Sequence, residues 1–145
     1  GRTWRKQELN YTNKYQLSDM VKIAGDNLLV SIPGLIGEQL FVSADERKRE
    51  VDAYMGFPRS LRNVISFTIP DGYKAVGIQN LNMNIDNETG TFAVQASVEG
   101  NTLSILVKKL YKQVTVKKED WPKLLEMLDA AFNFSQKKIL LKKIN

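Results

Sequence analysis

A chain of 145 residues with a hydrophobic fraction of 43% and a charged fraction of 26% has ordinary globular composition and suits one well-packed domain. It contains no Cys and no His, which excludes thiolate and imidazole metal sites, Cys nucleophiles and any triad built on His. The net charge of +5 is uneven: residues 1–100 carry 11 Lys and Arg against 12 acids, a net of −1, whereas residues 101–145 carry 10 Lys against 4 acids, a net of +6.

That late excess contains no Arg, the side chain that bidentate phosphate and base contacts favour, so it reads as a solvated face with Lys guarding strand edges and not as a nucleic-acid surface. No apolar run approaches the ~18 residues of a membrane span. The opening Gly1-Arg2-Thr3-Trp4-Arg5-Lys6 lacks the apolar core of a signal peptide, and Gly1 in place of Met points to a cut or processed chain.

Residues 1–19 are polar with scattered aromatics and weak periodicity, and are expected to be a linker or an irregular strand leading into the domain; residues 20–145 are expected to be a single β-sandwich. Met20–Ala24, the turn Gly25-Asp26-Asn27 and Leu28–Ile32 form a hairpin pattern ended by Pro33-Gly34. Leu35–Val42 is apolar with Gly37 inside and fits either an edge strand or a short helical turn. Ala44–Glu50 is dense in charge and Tyr54–Pro58 is dense in bulky apolar groups, together a long excursion between strands. Asn63–Ile69 reads as a strand with Ile65, Phe67 and Ile69 on one face, and Pro70-Asp71-Gly72 is a strong turn signal. Tyr73–Leu81 reads as a continuing strand.

The strongest pattern runs from Thr91 to Val116. Phe92, Val94, Ala96 and Val98 alternate with Thr91, Ala93, Gln95 and Ser97, Glu99-Gly100-Asn101 breaks the run, and Leu103, Ile105 and Val107 restart it, which is the period of an antiparallel hairpin with one buried face. After Val107 the apolar phase moves to Leu110, Val114 and Val116, which suggests a β-bulge or two strands meeting near Lys108-Lys109. Trp121, Leu124, Leu125, Leu128 and Phe132 recur at helical spacing after Glu119, Asp120 and Pro122, the acids and proline of a helix start. Lys138–Lys143 is too short for a lone helix and is expected to return as a last strand. The fold class is therefore mostly β, an antiparallel β-sandwich with one C-terminal α-helix packed on it.

Three pieces of the chain resemble the C-terminal domain of unknown function that follows the transglutaminase-like domain in bacterial exported proteins. They are Glu46-Arg47-Lys48-Arg49 with Val51-Asp52 and Gly56-Phe57-Pro58; Ile65-Ser66-Phe67-Thr68-Ile69-Pro70-Asp71-Gly72-Tyr73; and Trp121-Pro122 with Leu124, Leu125 and Leu128, ending in Ile139-Leu140-Leu141-Lys142-Lys143. Together they span roughly Leu28 to Lys143. The resemblance implies a non-catalytic accessory β-sandwich without cofactor, periplasmic or extracellular, whose partner is the upstream transglutaminase-like domain of the same chain. The Cys-His-Asp set of such proteins belongs to that upstream domain, so no catalytic residue carries over. The alternative is a stand-alone carbohydrate- or peptide-binding β-sandwich.

Several residue groups are candidate sites. Tyr54, Met55 and Phe57 are the candidate interface: an apolar group delivered to a loop either folds under its own sandwich, expected for Phe57, or meets another surface, expected for Tyr54 and Met55. Asn84, Asp86 and Glu88 alternate oxygen side chains as a calcium loop does, but lack the EF-hand spacing and read as a polar turn. Trp4, Tyr11 and Tyr15 could form a sugar-binding platform, though aromatics so spaced more commonly pin a terminal strand. Asn87-Glu88-Thr89 matches a glycosylation sequon, and Glu46 with Glu50 would share a helix face as a solvated pair.

Overall fold

The computed structural model describes Thr12 and residues 20–144. Each of the two main sheets contains a tight two-residue hairpin. Strands β1 (Val21–Ala24) and β2 (Asn27–Ser31) pair antiparallel from Val21↔Val30 to Ala24↔Asn27, and β7 (Gly90–Glu99) pairs with β8 (Thr102–Tyr111) from Gly90↔Tyr111 to Glu99↔Thr102. Each hairpin closes through two residues, and in each the first is a glycine with positive φ, Gly25 at 63° and Gly100 at 62°. A left-handed first position matches the strand twist of such tight turns, and glycine takes it without a Cβ clash.

The first sheet has the order β1-β2-β10-β5, with β5 at Tyr73–Val76 and β10 at Lys138–Lys143. The last strand therefore sits between an early one and a middle one, tying distant parts of the chain together. Its register places Val30 beside Ile139, and Leu28, Leu141 and Ala75 in one row, all on the core face. The second sheet has the order β4-β8-β7-β6, with β4 at Arg59–Thr68 and β6 at Met83–Asp86. A two-stranded ribbon, β3 (Ala53–Tyr54) with β9 (Thr115–Val116), completes the strands.

The long helix α2 (Trp121–Ser135) follows a 3-10 turn at Lys118–Asp120 and carries Pro122 in its first turn, as the acids and proline require. It lies against β6 and β7, with Phe134 meeting Phe92 at 5.8 Å between ring centroids. Gly90 makes this approach possible: a Cβ there would lie 2.5 Å from the Leu110 carbonyl oxygen and 2.5 Å from Met127 Sδ. Val30, Ile139 and Leu141 of the first sheet, Phe92, Val94, Leu103 and Ile105 of the second, and Leu124, Met127 and Phe134 of α2 belong to one buried cluster. The architecture is thus antiparallel sheets with one long helix near the C-terminus.

Three local expectations are corrected. Tyr73–Leu81 is not one strand: β5 stops at Val76, Gly77 turns at φ 71°, and Ile78–Leu81 forms a 3-10 turn that buries both Ile78 and Leu81. Eclipsed side chains three apart in such a turn serve the core as well as alternation does. There is no bulge at Lys108-Lys109: the pairing of β8 with β4 and with β7 runs unbroken, and the core phase stays on odd residues through Lys109 to Tyr111. Of the two readings of Leu35–Val42, the short helical turn is the one found, as α1 (Pro33–Ile36), after which the path is irregular. Ala44–Arg47 is a turn, so Glu46 and Glu50 do not share a helix face. The aromatic platform of Trp4, Tyr11 and Tyr15, and the linker at residues 1–19 apart from Thr12, lie outside the described residues.

Candidate docking surface

The long excursion between α1 and β4 is not loose; it is strapped along α2 from the helix C-terminal end to its start. Phe41 packs on Phe132 at 5.1 Å between centroids, Arg47 makes a two-pronged ion pair with Asp129, and the Arg49 guanidinium lies 4.7 Å over the Trp121 ring. Asp52 Oδ1 then accepts the Lys118 backbone N–H at 2.9 Å, and β3 pairs with β9 just before the helix. Ser43 and Glu46 exchange bonds within the strap: the Glu46 carboxylate accepts the Ser43 backbone N–H and hydroxyl, each at 2.9 Å, and that backbone bond first, then the hydroxyl, holds its pKa below the ordinary value.

At the end of the strap the chain divides its apolar residues. Met55 turns inward and packs against the core, its N–H bonded to the Val114 carbonyl at 2.7 Å. Gly56, at φ 84°, reverses the direction, and Pro58 fixes the exit into β4. Tyr54 and Phe57 are left facing water, 77% and 65% exposed, with Val114 also exposed beside the ribbon. The expected burial of Phe57 is therefore overturned: the glycine turn between Met55 and Phe57 allows only one of the two to point home.

The base of this loop is clamped. Arg59 Nη1 donates to the Met55 carbonyl at 3.2 Å while its guanidinium stacks 4.3 Å from the Tyr111 ring and 6.0 Å from the Phe57 ring. Arg59 and Tyr111 are direct partners in the β4–β8 ladder, so the sheet itself sets the height of the clamp. Two exposed aromatics on a loop held by a sheet, a ribbon and a guanidinium form a pre-organised apolar tip. Sequence reading found the tip and mis-assigned which residues protrude; the signal that resolves it is the glycine between them.

The other candidates resolve as structure. Asp86 accepts Lys112 Nζ and Thr91 Oγ1, both at 2.6 Å, and these bonds, Lys112 first, depress its pKa. Glu88 binds Lys123 Nζ at 2.6 Å, which with Asp120 raises the lysine pKa. Asn87 Oδ1 accepts the Thr89 N–H and hydroxyl, and Asn87 Nδ2 donates to the Lys123 carbonyl, so the sequon asparagine pins the β6–β7 turn to α2. Among the described residues no group of three potential metal ligands gathers, and no helix is long and apolar enough to cross a membrane. Of the late lysines, Lys112 and Lys123 are held by carboxylates and Lys137 by the Asn80 carbonyl. Open clefts among the described residues include one of about 310 Å³ beside the Pro70–Tyr73 turn and one of about 340 Å³ between α1 and β4.

Comparison with known families matches residues 28–141 to the family described as a domain of unknown function with solved structure, DUF3858. The searches of curated proteins and of solved structures return no match to this chain.

Proposed function

The chain belongs to the DUF3858 family of domains of unknown function, and from that premise we propose that it is a non-catalytic accessory β-sandwich that docks on a transglutaminase-like domain preceding it in the same protein, in the bacterial periplasm or at the cell surface. The exposed tip of Tyr54 and Phe57 carries the reading. Exposed aromatics with two side-chain torsions each, on a backbone already held in place, lose little freedom on docking and gain much apolar burial. The absence of Cys and His supports a partner role over a catalytic one.

Two measurements test it. The isolated chain is expected to show no transamidase, protease or glycosidase turnover, and activity that survives repurification overturns the non-catalytic reading. For docking, Tyr54→Ser with Phe57→Ser is compared with wild type for association with the separately produced preceding domain. The expected result is a loss of about tenfold or more in affinity with the thermal midpoint retained. Unchanged association rejects the tip as the docking surface.

A further inference from the structure

The longest margin of the molecule is β4. It runs ten residues, Arg59–Thr68, with unbroken pairing to β8 on one side and no strand on the other among the described residues. Ser60–Val64 are all exposed, so this part of the strand is open on both faces, with Leu61 52% exposed on the core-side face and Val64 63% exposed on the outer one. Edge strands are normally short, bulged, interrupted by proline or covered. Among the described residues, this one carries only positive charge as protection.

The charge is one-sided. β4 and β8 together hold Arg59, Arg62, Lys108 and Lys109 and no acid. Arg62 and Lys108 are direct cross-strand partners, a like-charge pairing that disfavours the sheet, and among the described residues neither makes an ion pair. On the core-side face the cleft of about 340 Å³ borders the strand, lined by Ile36, Gln39, Leu61, Asn63 and Lys109, with Glu38 the acid that shares it. Lys109 Nζ is turned to Gln39 Oε1 at 3.1 Å, which leaves the apolar surfaces of Ile36 and Leu61 for an incoming side chain.

We propose that the free edge of β4 accepts an extended peptide strand whose side chains alternate acidic and apolar. Backbone hydrogen bonds along the edge would supply affinity; the acidic side chains would lie on the outer face by Arg62 and Lys108, and an apolar one would enter the cleft over Leu61. A second copy of the chain is the poorer occupant, because β4 offers cations and no acids to itself. The site is separate from the Tyr54–Phe57 tip and does not need it.

The probe is a peptide of about ten residues alternating Glu and Val, with a Gln-for-Glu version and two versions N-methylated on alternate amides, one for each edge of the peptide. Binding to the full chain is read by fluorescence anisotropy. Saturable binding of the Glu peptide is expected, weakened about tenfold by Arg62→Gln with Lys108→Gln and by the Gln-for-Glu change, and lost with only one of the two N-methylated peptides. β4 amides are expected to gain protection from hydrogen exchange. Equal binding of both N-methylated peptides means charge adhesion without strand addition and overturns the proposal. So does the absence of saturable binding below about 1 mM, or sedimentation showing β4 already covered by a second copy.

Discussion

Strands β4 and β7 flank the same central strand, have the same length of ten residues, and differ in almost everything that follows from position. Leu61 and Phe92 occupy one row of one face, separated only by Lys109, yet Phe92 is 1% exposed and Leu61 52%. The difference lies in what covers each. α2 lies on β6 and β7, and its Phe134 seals Phe92, whereas β4 at Leu61 and Asn63 borders an open cleft beside α1, and only its later Ile65 and Phe67 pack against the core. Burial on a sheet is decided by the layer above it, so an alternating pattern identifies a face without stating that it is covered.

The comparison is broken most severely from the helix side. Phe134 is fully buried at the contact with β7, and Phe134→Ala removes the ring that fills it, so a loss of about 3–5 kcal/mol is expected from denaturant midpoints. A loss below about 1 kcal/mol would mean that α2 is not the layer that seals β7. Trp121 offers a finer probe. Among the described residues its Nε1 is buried with no hydrogen-bond partner, so Trp121→Phe gives up part of the packing and the Arg49 contact while removing that donor. It is expected to cost clearly less than Phe134→Ala in the same assay.

Gly90→Ala is the next step down. The added methyl meets the Leu110 carbonyl, which is backbone and cannot turn aside, as well as the flexible Met127 thioether. A loss of about 1–3 kcal/mol is expected, and because Met127 is itself buried, the losses from Gly90→Ala and Met127→Ala should nearly add in the double variant, since the backbone clash remains. A double variant no less stable than Met127→Ala alone would place the constraint on the helix side chain alone.

Much of this arrangement is legible in the sequence. The two hairpins, the helix with its acidic and proline start, and the final strand all announce themselves through period and turn chemistry. Where reading failed, a polar residue held a core position or a short turn replaced a strand. Lys109 sits on the core-side face, directing its ammonium to Gln39, and its polarity masks an odd phase that Tyr111 continues. Arg59–Asn63 lacks clean alternation because neither face there is covered, so β4 begins four residues earlier than its apolar pattern, at Arg59 and not Asn63. The strap along α2 is set by contacts between residues far apart in sequence, such as Arg47 with Asp129, which no local pattern can reveal. The candidate tip was visible as a dense apolar segment, but its inward and outward halves depend on the glycine turn between them.

Smaller effects are expected from pH. Hydrogen bonds depress the carboxylates of Asp86 and Glu46 in the folded chain. Such groups contribute stability that is present above the unfolded carboxylate pKa values and lost as pH falls through the lower folded ones. Asp86→Asn should therefore lower the melting midpoint slightly at neutral pH, and the gap from wild type should close below pH 3.8, the ordinary value for this side chain. Both carboxylates are solvent-exposed, so added salt should shrink the gap at neutral pH. A gap that widens on acidification would reverse the assigned sign.

The smallest effect belongs to the tip, and there a null result in stability is informative. Tyr54 and Phe57 are 77% and 65% exposed, and the loop that bears them is held by groups other than their rings: the Met55–Val114 backbone bond, the positive φ of Gly56, and Arg59 against Tyr111. Tyr54→Ser and Phe57→Ser are each expected to change stability by less than about 0.5 kcal/mol. Met55→Ser, between them, should cost more, because its side chain is packed against the core. The contrast separates a displayed surface from a loosely folded loop. If all three substitutions cost the same, the segment acts as one packed unit and the outward pair is ordinary core. If only Met55 matters, the apolar surface of Tyr54 and Phe57 is present for reasons other than the stability of this domain, as a docking role requires.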